Sequence, residues 1–186
     1  MSLEQFVTDW GLPALALGSV VEGDAVAFLG GVLAHRGHFR FEAAALAIAG
    51  GGFVADQICF HLGRHARRIA WVQRMIDRPA AQSVLTKAHV RPNFYALVMR
   101  FLYGLRTVGA AALGAAGLSP LRYALLDALS CLVWAHVVAG MGFGAGKAIE
   151  RAIGHTELLE DLLVALAITL LAMLALWGLG RVLRRR

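Results

Sequence analysis

Two arginines, Arg100 and Arg106, lie inside a long apolar stretch and are the residues best suited to chemistry. An arginine at bilayer depth costs about 2.5–3.5 kcal/mol on insertion scales, so two of them need a reason. On an unbroken helix they would point about 120° apart, whereas a break at Gly104 would turn both guanidinium groups into one pocket. Guanidinium groups bind phosphate oxygens through paired hydrogen bonds. The alternative is that each arginine reaches the membrane surface or pairs with a carboxylate.

Three carboxylates, Glu22, Asp24 and Asp56, lie in or beside apolar segments. An ionisable residue within a membrane is a functional hypothesis by default, because leaving water disfavours the charged form. The alternative for Glu22 and Asp24 is a polar loop between two interfacial helices. For Asp56 the alternative is a structural partner for an arginine.

Metal and disulfide chemistry are not indicated. His61 and His65 have the helical spacing of a metal-binding pair, but the glutamate of the zinc-protease motif is missing, so a surface helix is favoured. Cys59 and Cys131 lie in apolar stretches without metal-ligand spacing or a disulfide framework. We therefore predict neither a metal nor another cofactor.

The composition is that of a small integral membrane protein. The chain has 186 residues, of which 59% are hydrophobic, and a mean hydropathy of +0.65. We predict one all-α membrane domain over residues 1–186. The net charge of +6 comes from basic residues beside apolar segments, mainly in a loop at 61–91 and a tail at 180–186. That pattern orients a membrane protein and attracts lipid headgroups, so no nucleic-acid partner is expected. The acidic start of the chain, with Glu4 and Asp9, is unlike a signal peptide.

The order of apolar segments predicts two re-entrant helical hairpins beside full transmembrane helices. Both basic regions should be cytoplasmic, yet three apolar segments separate them, at 93–118, 121–146 and 162–179. The two regions share a side only if segment 93–118 enters the membrane and returns, closing near Gly104 or Gly109. The acidic loop 147–161 would then lie outside. The apolar runs 11–21 and 25–34 are each too short to span a bilayer, so they form one interrupted span or a second hairpin with Gly23 at its turn.

Four elements of the sequence resemble the DedA family of membrane proteins, also called the VTT or SNARE-associated domain. Glu-Gly-Asp at 22–24 resembles an acidic Pro-Gly-Glu/Asp element, and residues 55–64 resemble Gly-Asp-x-x-x-Tyr-x-x-Gly-Arg. Residues 100–106 resemble Arg-Phe-x-Pro-Gly-x-Arg, and the Ala-Gly pair that follows this element in the family is matched by Ala116-Gly117. In the fourth element, a tryptophan precedes Gly-Tyr by eight residues, and Trp134 and Gly142-Phe143 match it. The sequence departs from the family pattern at five positions, which are Glu22, Ala55, Phe60, Tyr103 and Phe143.

The resemblance implies a multi-pass protein of the bacterial inner membrane, with a cytoplasmic C-terminus, that moves lipid phosphates. Undecaprenyl phosphate and phospholipids are the implied substrates, and membrane lipids are the expected partners. Arg100 and Arg106 would hold the phosphate. Glu22, Asp24 and Asp56 would pair with them in the empty site and take up protons when the anion binds. Gly23, Gly104, Gly117, Trp134 and Gly142 would be structural or hinge positions.

Two other function classes remain open. An intramembrane lipid-phosphate phosphatase would need a nucleophile or a metal cluster near the arginines, and the sequence has no such motif beside His89 or His136. A non-catalytic assembly or scaffold protein would need neither arginine for its activity. We expect that the protein is not an enzyme.

Overall fold

The computed structural model describes residues 3–65, 91–101 and 106–153, together with positions 73, 74, 77, 82 and 86. The regular elements that these residues form are all helices, as the sequence predicts. The helices are α1 (Leu3–Val21), α2 (Gly23–His35), α3 (Phe41–Arg64), α4 (Pro92–Val98) with a 3₁₀ turn (Met99–Phe101), α5 (Arg106–Ala115) and α6 (Pro120–Ile153). In the described chain, α3 and α6 are long and apolar enough to cross a membrane.

The helices α1 and α2 fold back on each other as a hairpin. Glu22 interrupts them with the non-helical dihedral angles φ −131° and ψ 81°. Across the hairpin, the side chain of Val26 lies 3.1 Å from the position that a Cβ would take on Gly18, and Leu15 is placed in the same way against Gly30. The first two apolar runs therefore form two antiparallel helices. Entry and return of this hairpin at one membrane face stays a prediction.

The helices α4 and α5 form a second hairpin. Met99 packs against Gly109, whose Cβ position would lie 2.8 Å from the Met99 sulfur. Met99 also shares a buried cluster with Ala112, and Tyr95 packs against that cluster. Residues 102–105, including Gly104, lie outside the described part of the chain, so the break at Gly104 stays a prediction. The second hairpin thus has the antiparallel form that the sequence predicts, and its re-entrance stays a prediction.

Both hairpins end in the same type of cap. Gly37 follows α2 with φ +80°, and Gly117 follows α5 with φ +83°. Backbone N–H groups next to each glycine reach back to the preceding turn, as in His38 to Leu33 at 3.2 Å and Leu118 to Leu113 at 3.4 Å. A left-handed residue at this position closes a helix and favours glycine. A long helix, α3 or α6, begins within four residues of each cap, so the chain repeats a hairpin, a glycine cap and a long helix.

The chain divides into two compact units, Met1–Ile48 with Ala135–Arg186, and Ala49–Trp134. In the first unit, α2 packs on α6 with Gly31 against the carbonyl of Ala139 and Gly142 against the carbonyl of Phe28. Because a side chain at either glycine would meet backbone, the two helices approach more closely than side chains would allow. The His35 imidazole also pairs with Glu150 at 2.7 Å in this unit.

The second unit uses the same type of packing. Gly63 on α3 faces the carbonyl of Ala111, and Gly114 on α5 faces the carbonyl of Phe60. The guanidinium group of Arg64 donates a hydrogen bond to the Leu118 carbonyl at 2.9 Å. These contacts fix α5 against the last turns of α3, the helix that carries Asp56.

Two boundaries differ from the sequence prediction. The predicted loop 147–161 begins too early, because α6 continues through Ile153. Residues 147–153 contain neither proline nor glycine, so nothing in them ends the helix. The helix α1 begins at Leu3, eight residues before the apolar run 11–21 that the sequence analysis singles out. Three predicted regions lie mainly or wholly outside the described residues. They are most of the basic loop 61–91, the whole span 162–179 and the whole tail 180–186.

Candidate functional site

A buried charged cluster lies within the unit Ala49–Trp134, where α3, the second hairpin and α6 meet. The helix α3 contributes Gly52 and Asp56, which share a face because they are four residues apart. The hairpin contributes its two arginines from opposite sides of its turn. The helix α6 contributes three residues with helical spacing, which are Asp127, Cys131 and Trp134.

Arg100 is the centre of the cluster. Its side chain is only 2% exposed, and its Nη1 donates to Asp56, whose side chain is 4% exposed. The guanidinium carbon lies 4.3 Å from the ring centroid of Trp134, a cation–π contact. On α3, a methyl group at Gly52 would occupy the space of Nη2. Arg100 is therefore held by one carboxylate, one indole face and one glycine.

Two nitrogens of this guanidinium group have no partner among the described residues. Nε and Nη2 of Arg100 are both buried and donate no hydrogen bond to that part of the chain. Together they form the side edge of the guanidinium plane, from which two parallel N–H bonds point. A phosphate or carboxylate matches such an edge with two oxygens. Since an unsatisfied buried donor costs about 1–3 kcal/mol, this edge is suited to an anion that arrives from outside.

Arg106 reaches the same carboxylate from the other arm of the hairpin. Its Nε lies 3.8 Å from Oδ1 of Asp56, and its side chain is 21% exposed. The structure therefore brings together Arg100 and Arg106, which the sequence places in one apolar segment, and Asp56, which it places in another. The interruption of the helix between the two arginines makes this possible, because α4 and its 3₁₀ turn end at Phe101 and α5 begins at Arg106.

The other predicted carboxylates lie in the first unit. Glu22 is exposed at the break between α1 and α2, and Asp24 is half-buried in the first turn of α2. Gly23, which starts α2, is buried. Their proposed part in proton coupling stays a prediction.

Sequence patterns did not single out Gly52, Asp127 or Gln57, whose side-chain amide donates a hydrogen bond to Asp127 at 2.8 Å. The signal for Asp127 was present, since it is an acidic residue within an apolar run, the criterion that singled out Asp56. Nothing in the sequence distinguishes Gly52 from its neighbours Gly50 and Gly51. Only packing against Arg100 does so.

A cation site in this cluster is disfavoured by charge. Ligand atoms of Asp56, Asp127 and Cys131 lie within 4.8 Å of one another. Both arginines, however, are directed at Asp56, and a metal ion there would be repelled by two guanidinium charges. The two guanidinium charges make the cluster better suited to an anion than to a cation.

A model of the VTT domain family matches residues 12–144. The chain belongs to this family. The DedA resemblance is thereby confirmed, and the match includes the second half of α1, the helices α2 and α3, the second hairpin and most of α6. The chain is also 33% identical over 154 residues to the inner membrane protein YohD of Escherichia coli strain K12, with 80% of this chain and 78% of that protein covered. No solved structure matches. Membership of the VTT domain family makes this chain a membrane protein of the DedA family. The roles of its individual residues stay predictions.

Proposed function

We propose that this VTT domain protein moves a lipid phosphate, such as undecaprenyl phosphate or a phospholipid, across the bacterial inner membrane. The observation that carries the proposal is the buried side edge of Arg100, with two N–H donors that have no partner in the described chain. A guanidinium edge of this kind binds two phosphate oxygens at once. The acyl or prenyl chains of the substrate stay in the bilayer, and only the headgroup enters the protein.

The two arginines would act in sequence. Arg106 is partly exposed and only loosely paired, at 3.8 Å, so it makes the first contact with the phosphate. Arg100 is almost fully buried, and α3 covers its Nη2 at Gly52. A phosphate therefore reaches Arg100 only when the second hairpin moves away from α3. Binding and hairpin movement are coupled in this scheme, as in transporters built from broken helices.

Protonation of Asp56 would balance the charge of the bound phosphate. Asp56 is paired with both arginines in this structure. When the phosphate takes the arginines, an ionised Asp56 would be left buried without a partner, which is costly. Uptake of a proton by Asp56 removes that charge. Glu22 and Asp24, which lie in the other unit, are proposed as further proton-binding groups.

The proposal includes a multi-pass arrangement with the C-terminus in the cytoplasm and both hairpins re-entrant. It assigns no catalytic step to the protein. Two apolar helices of spanning length and the inner membrane location in the name of the E. coli relative support the membrane setting.

The test is a transport assay with purified protein in proteoliposomes. Undecaprenyl phosphate is compared with ordinary phospholipids, with and without a pH gradient. Arg106→Lys keeps the charge but loses the planar fork, so we expect it to lose most of the transport with little loss of expression. Arg122→Lys is the matched control, because Arg122 is exposed on α6. If Arg106→Lys transports the lipid as well as Arg122→Lys does, paired hydrogen bonds from the Arg106 guanidinium group are not required for phosphate binding, and this part of the proposal is wrong.

Two further measurements distinguish the other function classes. Release of inorganic phosphate from a lipid phosphate by the purified protein would indicate a phosphatase. A scaffold protein would retain its cellular activity in an Arg100→Ala variant that still folds, whereas a transporter would lose it.

A further inference from the structure

A second carboxyl group, Asp127, is buried beside Asp56. Asp127 is 2% exposed. One of its carboxylate oxygens lies within 4.8 Å of both a carboxylate oxygen of Asp56 and the sulfur of Cys131. Asp127 is on α6 and Asp56 is on α3, so the two carboxyl groups face each other between helices of the same unit. Of these two carboxyl groups, the transport scheme above uses Asp56 and not Asp127.

The groups that donate hydrogen bonds to Asp127 are neutral. Gln57 donates from Nε2 to Oδ2 at 2.8 Å, and the Cys131 thiol donates to Oδ1 at 3.6 Å. Over residues 3–65, 91–101 and 106–153, no basic side chain forms an ion pair with Asp127. Asp56, by contrast, has both arginines within ion-pair distance.

The groups that face Asp127 come from three elements. They are Asp56 on α3, Arg100 on the second hairpin, and Tyr123 and Cys131 on α6 itself. Two buried carboxyl groups this close do not both remain ionised easily, and they tend to share a proton. Because Asp56 is paired with both arginines, its negative charge is compensated, whereas a negative charge on Asp127 would not be. The proton therefore belongs on Asp127.

We propose that Asp127 holds a proton at neutral pH and passes it to Asp56 when an anion replaces Asp56 as the partner of Arg100. The proposal rests on the function proposed above. In the resting site, Asp127 is a neutral acid and Asp56 is the ionised partner of the arginines. When a phosphate displaces Asp56 from Arg100, the Asp127 hydroxyl proton moves to the Asp56 carboxylate. Asp127 is then reprotonated from the aqueous phase, so each phosphate enters with one proton.

Infrared spectroscopy of the purified, full-length protein tests the resting state directly. At neutral pH we expect the C=O stretch of a protonated carboxylic acid, which shifts in D₂O. Asp127→Asn keeps the shape and should remove one carboxyl group's share of that intensity. Asp77→Asn is the control, because Asp77 is exposed, and it should leave the band unchanged. Absence of the band in the wild-type protein, or full intensity in Asp127→Asn, would overturn the proposal.

A second variant keeps the test decisive if Asp127→Asn does not fold. Asp127→Glu retains the acid but changes its surroundings, so it should move the band to a different frequency. A band that stays at the wild-type position in Asp127→Glu belongs to another residue and contradicts the proposal.

Transport measurements separate this proposal from the function on which it rests. In proteoliposomes with undecaprenyl phosphate, Asp127→Asn should lose the response of transport to a pH gradient while binding of the lipid persists. An unchanged pH response would refute the relay and leave lipid transport intact. If the infrared result is as expected but the wild-type protein neither binds nor moves a lipid phosphate, the proposed function fails and the protonated Asp127 stands.

Discussion

Replacement of Gly52 by alanine tests the position of Arg100 without removing any charge. A Cβ at this position would lie 3.0 Å from Cζ of Arg100 and would overlap Nη2. An arginine terminus usually moves aside at little cost, but this one is held by Asp56 and by the Trp134 ring. The methyl group must therefore displace the guanidinium group from its carboxylate or push α3 away.

The magnitude follows from two opposing effects. Overpacking of a filled interior costs about 1–3 kcal/mol, whereas alanine in place of glycine within a helix gains about 1 kcal/mol. Gly50→Ala is the matched control, because a Cβ at Gly50 meets nothing within 4 Å and gains the helix propensity alone. The difference in unfolding free energy between the two variants should thus be about 1–3 kcal/mol. If all of that free energy opposes phosphate binding at Nε and Nη2 of Arg100, the affinity for a lipid phosphate decreases about 5- to 150-fold.

The assay has two measurements on each variant. Thermal unfolding of the purified protein in detergent reports stability, and titration with a lipid phosphate reports affinity. Gly50→Ala should bind as the wild-type protein does and unfold at the same or a higher temperature. If Gly52→Ala is indistinguishable from Gly50→Ala in both measurements, Arg100 does not lie against α3, and the argument for its buried edge is wrong.

Three further predictions concern the pairing of charges, the helix packing and the topology. Asp56→Ala should cost about 3–5 kcal/mol because it leaves a buried arginine unpaired, and adding Arg100→Met should recover most of the loss in thermal unfolding experiments. Gly114→Ala would meet the carbonyl of Phe60 and should lower the unfolding temperature, whereas Gly144→Ala, which meets nothing within 4 Å, should not. Cysteines introduced at positions 80 and 186 should both react with an impermeant reagent only from the cytoplasmic side. Labelling from opposite sides would contradict the prediction that the second hairpin is re-entrant.

The sequence by itself determines the membrane class, the family and the broken segments. Apolar runs of spanning length favour helices, because a helix satisfies its own backbone groups in lipid. An acidic break at Glu22, and two arginines that one straight helix would separate, indicate interruptions, and the structure has a helix boundary at each place. Charge within apolar segments is enough to single out Arg100, Arg106 and Asp56, because a charge at bilayer depth is costly wherever the helices pack.

Only the tertiary structure decided which charges meet and which donors remain free. The approach of α3 to the hairpin depends on Gly63 and Gly114 against backbone carbonyls, and sequence periodicity does not show which glycines pair across helices. Asp127 became part of the site because α6 brings it within 4.8 Å of Asp56. Such contacts join residues far apart in the chain, and their geometry depends on interhelical packing, which local sequence patterns do not encode.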